Sequence, residues 1–333
     1  MAISNFISII VKSMTGAGKI KIRHLLKIAL VLVILTHMLC FSAQSETLEI
    51  VDSEGVVHQL ERPATRIISL YPAHTENLVE IGAVDRLIGI STADTYPEQI
   101  LTKPRFSYHD TLEKIIEANP DCILIRPMIA RSSPKLVKKL QSYGINVISL
   151  QPTTVSGLYD YWHTLGEISG FTREAERMIH EFKSELENIK QIVKTVPVSE
   201  RPRVYFESIH AQMKTFSPAS ITIFCLESAG GINVAGDAIP RRSTNIAAYG
   251  KERILSKAAE IDIFLAQSGR MNRITVSEIL KEPGFGAIKA IRNGRVHLVT
   301  EHLVSRPTTR LLEGIRQIHY LLFPNNLSAD RQS

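Results

Sequence analysis

The segment from Thr172 to Lys194 constrains the fold most. Its apolar residues, Ala175, Met178, Ile179, Phe182, Leu186, Ile189, Ile192 and Val193, fall on one stripe of a 3.6-residue period. This predicts a single amphipathic helix with one buried face, roughly 34 Å long at 1.5 Å per residue. Thr172 is the expected N-cap, with Glu174 and Glu176 in the first turn, where the helix dipole favours anions. A helix of that length can run along two lobes as a fixed spine.

Both flanks carry an α/β pattern. Leu48–Leu60 reads as a hairpin around the turn Asp52-Ser53-Glu54-Gly55. Strands are then predicted at Arg66–Leu70, Leu87–Ile90, Cys122–Ile125 and Val147–Leu150, with helices at Thr75–Ile81, Leu112–Ala118 and Pro134–Tyr143 between them. After Pro202 the plan recurs. Strands are predicted at Val204–Glu207, Ile261–Ala266 and Val296–Val299, and helices at Ser220–Ala229, Lys251–Lys257, Val276–Leu280 and Arg310–Leu322. Alternating strands and helices imply crossover units and mainly parallel sheets covered on both faces. The expected fold class is α/β, with two lobes, each a mainly parallel sheet flanked by helices, joined by one long helix. The boundaries are 46–170 for the first lobe, 171–196 for the spine and 197–333 for the second lobe.

Residues 1–45 read as a signal peptide. Lys12, Lys19, Lys21, Arg23 and Lys27 precede an apolar run from Ile28 to Ala43, no acid occurs before Glu46, and Ala43 and Ser45 offer a cleavage site. Translation from Met14 and retention as a membrane anchor are the alternatives, although the run is short for a span of about 20 residues. A lipoprotein would need Cys40, which follows the bulky Leu39. The leader holds five basic residues of a chain whose net charge is +6. The exported remainder of about 288 residues is therefore close to neutral, and the charge gives no support to nucleic-acid binding. Cys122 and Cys225 sit in apolar runs of different halves and are read as small core residues rather than a disulfide.

Ligands of parallel sheets gather at the carboxyl ends of the strands. Here those ends carry Tyr71-Pro72-Ala73-His74, Ser91–Asp94, Arg126-Pro127-Met128, Ser208-Ile209-His210, Ser268-Gly269-Arg270 and Glu301-His302, rich in His, Arg and Tyr. No GxxxxGK[ST] or GxGxxG phosphate loop, GxSxG elbow, HExxH or CxxC is present. Gly230-Gly231 follows a helix and reads as its stop. No catalytic residue, resident metal or cofactor is assigned, and binding is favoured over catalysis.

Several segments then carry a family likeness. Arg66–Glu76, Leu78–Gly89, Thr111–Ile115 followed by Asn119-Pro120-Asp121, and Ser305–Arg310 resemble, in order and spacing, the substrate-binding proteins of ABC importers for iron–siderophore, haem and cobalamin. The likeness covers residues 48–324. It implies cargo held between two rigid lobes and delivery to a permease and ATPase complex at the inner membrane; a monomer is expected, and the stiff spine limits hinge motion, so domain closure should be small. It also implies that Glu113 and Glu252 dock to arginines on the permease, one from each lobe.

The cleft candidates are Tyr71, His74, Tyr108, His109 and Arg126 in the first half, and His210, Arg241, Arg242, His302 and Arg306 in the second. Arg306 matches an arginine that cobalamin-binding relatives use for their ligand, and His302 falls where they have a polar residue. The aromatics with which those relatives clamp the corrin align here with Ala93, Ser107 and Ile246. Arginines suit an anionic chelate, and tyrosine or histidine can ligate haem iron. The expected cargo is therefore an iron complex, siderophore or haem. Cobalamin, an oxyanion such as molybdate held at helix N-termini, or a chelatase-like enzyme on a related fold are the alternatives. A membrane-anchored sensor ectodomain would keep the leader.

Overall fold

A computed structural model describes residues 47–240 and 244–324. The expected signal peptide, together with Arg241 and Arg242, lies outside the described residues. The fold belongs to the compact unit that begins at Leu48.

A hairpin opens it, β1 (Leu48–Val51) and β2 (Val57–Leu60), antiparallel with Gly55 at φ 78° in the turn. The first sheet follows: β3 (Ile67–Ser69), α1 (Pro72–Glu80), β4 (Leu87–Ser91), β5 (Arg105–Phe106), α2 (Leu112–Glu117), β6 (Cys122–Ile125), α3 (Pro127–Ser132), α4 (Pro134–Ser142), β7 (Asn146–Ser149) and α5 (Val155–Ser169). Its five strands run parallel in the order β5-β4-β3-β6-β7. The spine is α6 (Thr172–Lys194), with the predicted bounds. Beyond it come β8 (Arg203–Ile209), β9 (Lys214–Phe216), α7 (Ile221–Ser228), β10 (Ile232–Asn233), β11 (Ile246–Ala248), α8 (Lys251–Ser256), β12 (Ile263–Ser268), α9 (Val276–Lys281), α10 (Lys289–Arg292), β13 (Val296–Thr300), α11 (Glu301–Val304) and α12 (Leu311–Leu322). The second sheet has the order β11-β9-β8-β12-β13, with β10 beside the start of β8. β8, β12 and β13 are parallel, whereas β9 runs antiparallel to both of its neighbours. The two lobes of the expected α/β class are thus present. Cys122 and Cys225 are free and buried, as read.

Thr172 is not the cap of the spine. Phe171 holds that position, without a side-chain hydrogen bond. The reason lies in the turn before it. Gly170, at φ 79°, ends α5, and the Phe171 N–H donates to the Gly166 carbonyl, so α5 passes into α6 through two residues. Gly166 is required there, because a Cβ would come within 2.7 Å of Ala175 Cβ. On the spine, Ala175, Met178, Phe182, Leu186, Ile189 and Val193 are buried, while Ile192 is half exposed. Phe182 meets Trp162 of α5 edge-on at 5.0 Å between ring centroids. At the other end, Val193 sits against Gly230, just after α7. One hydrophobic core therefore runs from Ile50 to Leu322 through the spine. Fully burying each such side chain contributes about 1.5–3 kcal/mol. Among the described residues, no helix is long and apolar enough to cross a membrane.

A buried polar layer also joins the halves. His74 is fully buried. Its Nε2–H donates to the Ile125 carbonyl at 3.0 Å, which leaves Nδ1 to accept from the Tyr161 hydroxyl at 2.8 Å. Asn77 Nδ2 donates to the Tyr161 oxygen and, at 2.9 Å, to the Pro307 carbonyl in the second half. Trp162 Nε1 donates to the same carbonyl at 3.0 Å. Glu76 receives Arg306 at 2.6 Å and lies 3.7 Å from Arg310. Asp94, also buried, accepts from the Ser91 amide at 2.6 Å.

Phe182→Ala should lower unfolding free energy by about 3–5 kcal/mol, whereas Ile192→Ala should change it by less than about 0.5 kcal/mol; urea unfolding followed by circular dichroism measures both. Two titrations in the polar layer should oppose each other. Burial lowers His74 from 6.5 to about 4. The unfolded chain therefore binds the extra proton between those values, and stability is lost as pH falls through that window. Burial raises Asp94 from 3.8 to about 7, so the folded chain holds the extra proton and stability is lost as pH rises through that window. Relative to wild type, His74→Asn should gain stability as pH falls, and Asp94→Asn as pH rises, each by at most about 1.4 kcal/mol per pH unit. Slopes of the same sign in the two variants would refute the assignment.

Candidate functional site

The two strand-to-helix turns at the centre of the first sheet share one device. Tyr71 and Arg126 each follow a strand and precede a proline at the first helical position, of α1 and α3 respectively. Proline disfavours helical backbone in the residue before it and is itself pre-shaped for a helix start. Tyr71 (φ −142°, ψ 125°) and Arg126 (φ −116°, ψ 160°) are accordingly extended. Because β3 and β6 are neighbours, the two side chains meet: the Arg126 guanidinium lies 5.0 Å from the centre of the Tyr71 ring. Burial raises the Tyr71 hydroxyl above its usual range.

These residues form part of the wall of a cleft of about 1700 Å³ between the two sheets, at the carboxyl ends of their parallel strands. Small-molecule pockets more commonly enclose about 300–1,000 Å³, so this one has room for a bulky guest. The first half adds Ser107, Tyr108 and His109 from the loop after β5, where the Tyr108 and His109 rings lie 4.0 Å apart. The second half contributes Lys214 and Phe216 from β9, Ile246 from β11, Arg270 and Met271 after β12, and Glu301 and Arg306. Gly269 is needed beside them, since a Cβ there would run into the Glu301 side chain, whose carboxylate accepts from the Met271 amide at 3.2 Å. Arg126, Lys214 and Arg270 have no anionic partner within salt-bridge distance among the described residues, whereas Arg131 pairs with Glu54 and Arg306 with Glu76. The cleft thus offers unpaired cations from both halves.

Of the residues singled out from sequence, Tyr71, Tyr108, His109, Arg126 and Arg306 stand together on the cleft wall. Three others need correction. His74 turns inward, and both of its ring nitrogens are occupied by protein groups. His210 is also not on the wall. Its Nδ1 lies 3.0 Å from the buried Glu207 carboxylate, a bond that raises its pKa, and its Nε2 is 3.5 Å from Glu282. His302, on α11, is half-buried beside the wall rather than on it, and burial lowers its pKa. Arg241 lies outside the described residues. Ala93, Ser107 and Ile246 all line the cleft, so those three wall positions are small or aliphatic. Glu113 and Glu252 stand exposed in the first turns of α2 and α8, on separate lobes, without a hydrogen-bonding or ionic partner among the described residues.

Sequence reasoning missed one wall altogether. Helix α5 lays Gly157, Asp160, Tyr161 and Thr164 along the cleft. Their three-and-four spacing was the available signal. Lys214 was missed because its strand has only three residues. Among the described residues, no group of three or more His, Cys, Asp or Glu is arranged to hold a metal ion.

Residues 67–303 match the periplasmic binding protein family. Over 270 residues, 77% of this chain and 88% of the relative, the sequence is 27% identical to the vitamin B12-binding protein of Vibrio cholerae. Over 279 residues, 80% and 82% of the two chains, it is 24% identical to a Bacillus subtilis protein named an uncharacterized ABC transporter substrate-binding lipoprotein. Among solved structures, a possible iron-binding (periplasmic solute-binding) protein of Staphylococcus epidermidis superposes with a TM-score of 0.69 at 25% identity, covering 79% of this chain and all of the other. The family match spans both sheets and the helix between them, and the chain belongs to the periplasmic binding protein family.

Proposed function

We propose that this chain is the exported substrate-binding component of an ABC importer, and that it captures an anionic iron complex, a siderophore or haem, in the cleft for delivery to a membrane permease. The observation that carries the reading is the pairing of a large cleft with unpaired cations from both halves, Arg126 from the first and Lys214 and Arg270 from the second. Guanidinium groups give charge-assisted, often bidentate bonds to carboxylate or catecholate oxygens. Tyr108, half-buried on the wall, adds an aromatic surface for a planar guest, whereas the Tyr71 ring is largely covered by Arg126. Lacking a cluster of ligating side chains among the described residues, the site suits a metal that arrives already chelated.

Cobalamin is the second reading, favoured by the Vibrio cholerae relative named for that vitamin. Against it stand Ala93, Ser107 and Ile246, which supply no aromatic clamp. Glu113 and Glu252 suit docking: two exposed, unpaired carboxylates on separate lobes can fix register on a basic partner. Export, periplasmic residence, a monomeric state and non-catalytic action belong to the same proposal.

Protein recovered from its native exporting cells should carry cargo at 1:1, giving a Soret band for haem or a catecholate–iron charge-transfer band for a siderophore. A cobalamin spectrum would replace the iron reading with the second one. Arg126→Ala should weaken binding of that cargo by about 10-fold or more, from loss of a charge-assisted contact. The double variant Glu113→Ala/Glu252→Ala should leave cargo affinity within about 2-fold of wild type while cellular uptake falls at least about 10-fold. Unchanged uptake would remove the docking assignment.

A further inference from the structure

The Glu76 carboxylate is almost completely enclosed, with its side chain 3% exposed, and it is not part of the cleft wall. It sits on α1 in the first half, yet both of its ionic partners belong to the second. Oε1 accepts from Arg306 Nη1 at 2.6 Å, and Oε2 lies 3.7 Å from Arg310 Nη1. Among the described residues, no other ion pair joins the first lobe to the second.

The two arginines are held differently. Arg310 is fixed from three sides, by Glu76, by Glu313 at 3.7 Å and by the Tyr96 ring, 4.2 Å from the guanidinium carbon. The Arg306 side chain is a fifth exposed, lines the cleft, and makes only the Glu76 hydrogen bond among the described residues. A guanidinium has five N–H donors. One edge of Arg306 is therefore spent on Glu76, and the other donors remain for a guest.

We propose that Glu76 is a positioning residue for the cleft. Its carboxylate fixes Arg306 in one orientation, so that the guanidinium meets an anionic oxygen of the cargo without first being ordered. The inference rests on the reading of the cleft as the cargo site. An unrestrained arginine loses much side-chain freedom on binding, and Glu76 removes most of that loss before cargo arrives. The cargo recognised this way carries an anionic oxygen at the floor of the cleft, between α1 and the segment 305–310.

The test is a double-mutant cycle between Glu76→Gln and Arg306→Gln, with haemin, a ferric tris-catecholate and cyanocobalamin as titrated probes. For a probe that wild type binds, Glu76→Gln should weaken affinity about 10-fold, and the same change in the Arg306→Gln background should cost less than about 2-fold. Equal losses in both backgrounds would show a purely structural role and overturn the proposal. A cargo-free readout accompanies it: the Arg306 Nε–Hε signal in nitrogen-15 NMR, identified by its disappearance in Arg306→Lys. It should report a rigid side chain in wild type and a mobile one in Glu76→Gln; unchanged rigidity would overturn the proposal. Should Glu76→Gln not fold, Glu76→Asp, with a carboxylate one methylene shorter, should loosen the same signal, and a signal as rigid as in wild type would count against it. If wild type binds none of the three probes, the cargo reading fails, and the NMR result alone decides the role of Glu76.

Discussion

The apolar stripe of α6 belongs to both lobes at once. Its early residues pack on α5 through Phe182 and Trp162, and its last reach the turn after α7 through Val193. The core is continuous from Ile50 to Leu322, so the lobes cannot separate or rotate far without exposing side chains of the spine itself. Close-packed interiors resist such deformation. The polar layer adds a directional constraint, because the Pro307 carbonyl accepts from both Asn77 and Trp162 and the Glu76 carboxylate holds two arginines. Flexible interlobe strands would permit wide hinge closure. A shared helix and a buried junction favour a groove that is largely formed before the guest arrives.

The chemistry of the groove follows from where parallel strands end. Each strand of the first sheet delivers its next residues to the same edge, and prolines at 72 and 127 turn the chain away just after Tyr71 and Arg126. The second sheet faces this edge with Lys214, Arg270 and Arg306. The resulting surface is large, basic and partly aromatic. Two histidines near that surface are engaged by the protein instead, His74 by Tyr161 and Ile125, and His210 by Glu207. Such a surface is equipped to grip and orient a charged guest.

Sequence made the spine legible because a surface-facing helix repeats its buried side every three or four residues, and the predicted bounds Thr172–Lys194 are those observed although Phe171, not Thr172, is the cap. Short apolar runs similarly located β3, β4, β6, β7, β8, β12 and β13. Helix α5 buries Leu158, Tyr161, Trp162, Leu165 and Ser169 on one stripe, but Gly157 and Gly166 inside it weaken the helical signal of the segment. β5, β9, β10 and β11 have two or three residues each, too few for alternation to register. For the site, position along the chain was readable but side-chain direction was not. Tyr71 and His74 are three residues apart, yet one lines the cleft and the other turns into the core to satisfy buried partners. Glu76 was visible only as part of a motif; its value as an interlobe anchor depends on Arg306 and Arg310, more than 200 residues away.

A core that runs unbroken through the spine requires the lobes to keep a near-constant separation. Spin labels at Lys138→Cys on α4 and Lys281→Cys on α9, both exposed positions away from the cleft, measure that separation directly by pulsed electron–electron resonance. A rigid spine should give one narrow distance distribution, whose centre moves by no more than about 2 Å when native cargo is bound. A broad distribution in the empty protein, or a shift on loading several times larger than that, would contradict it.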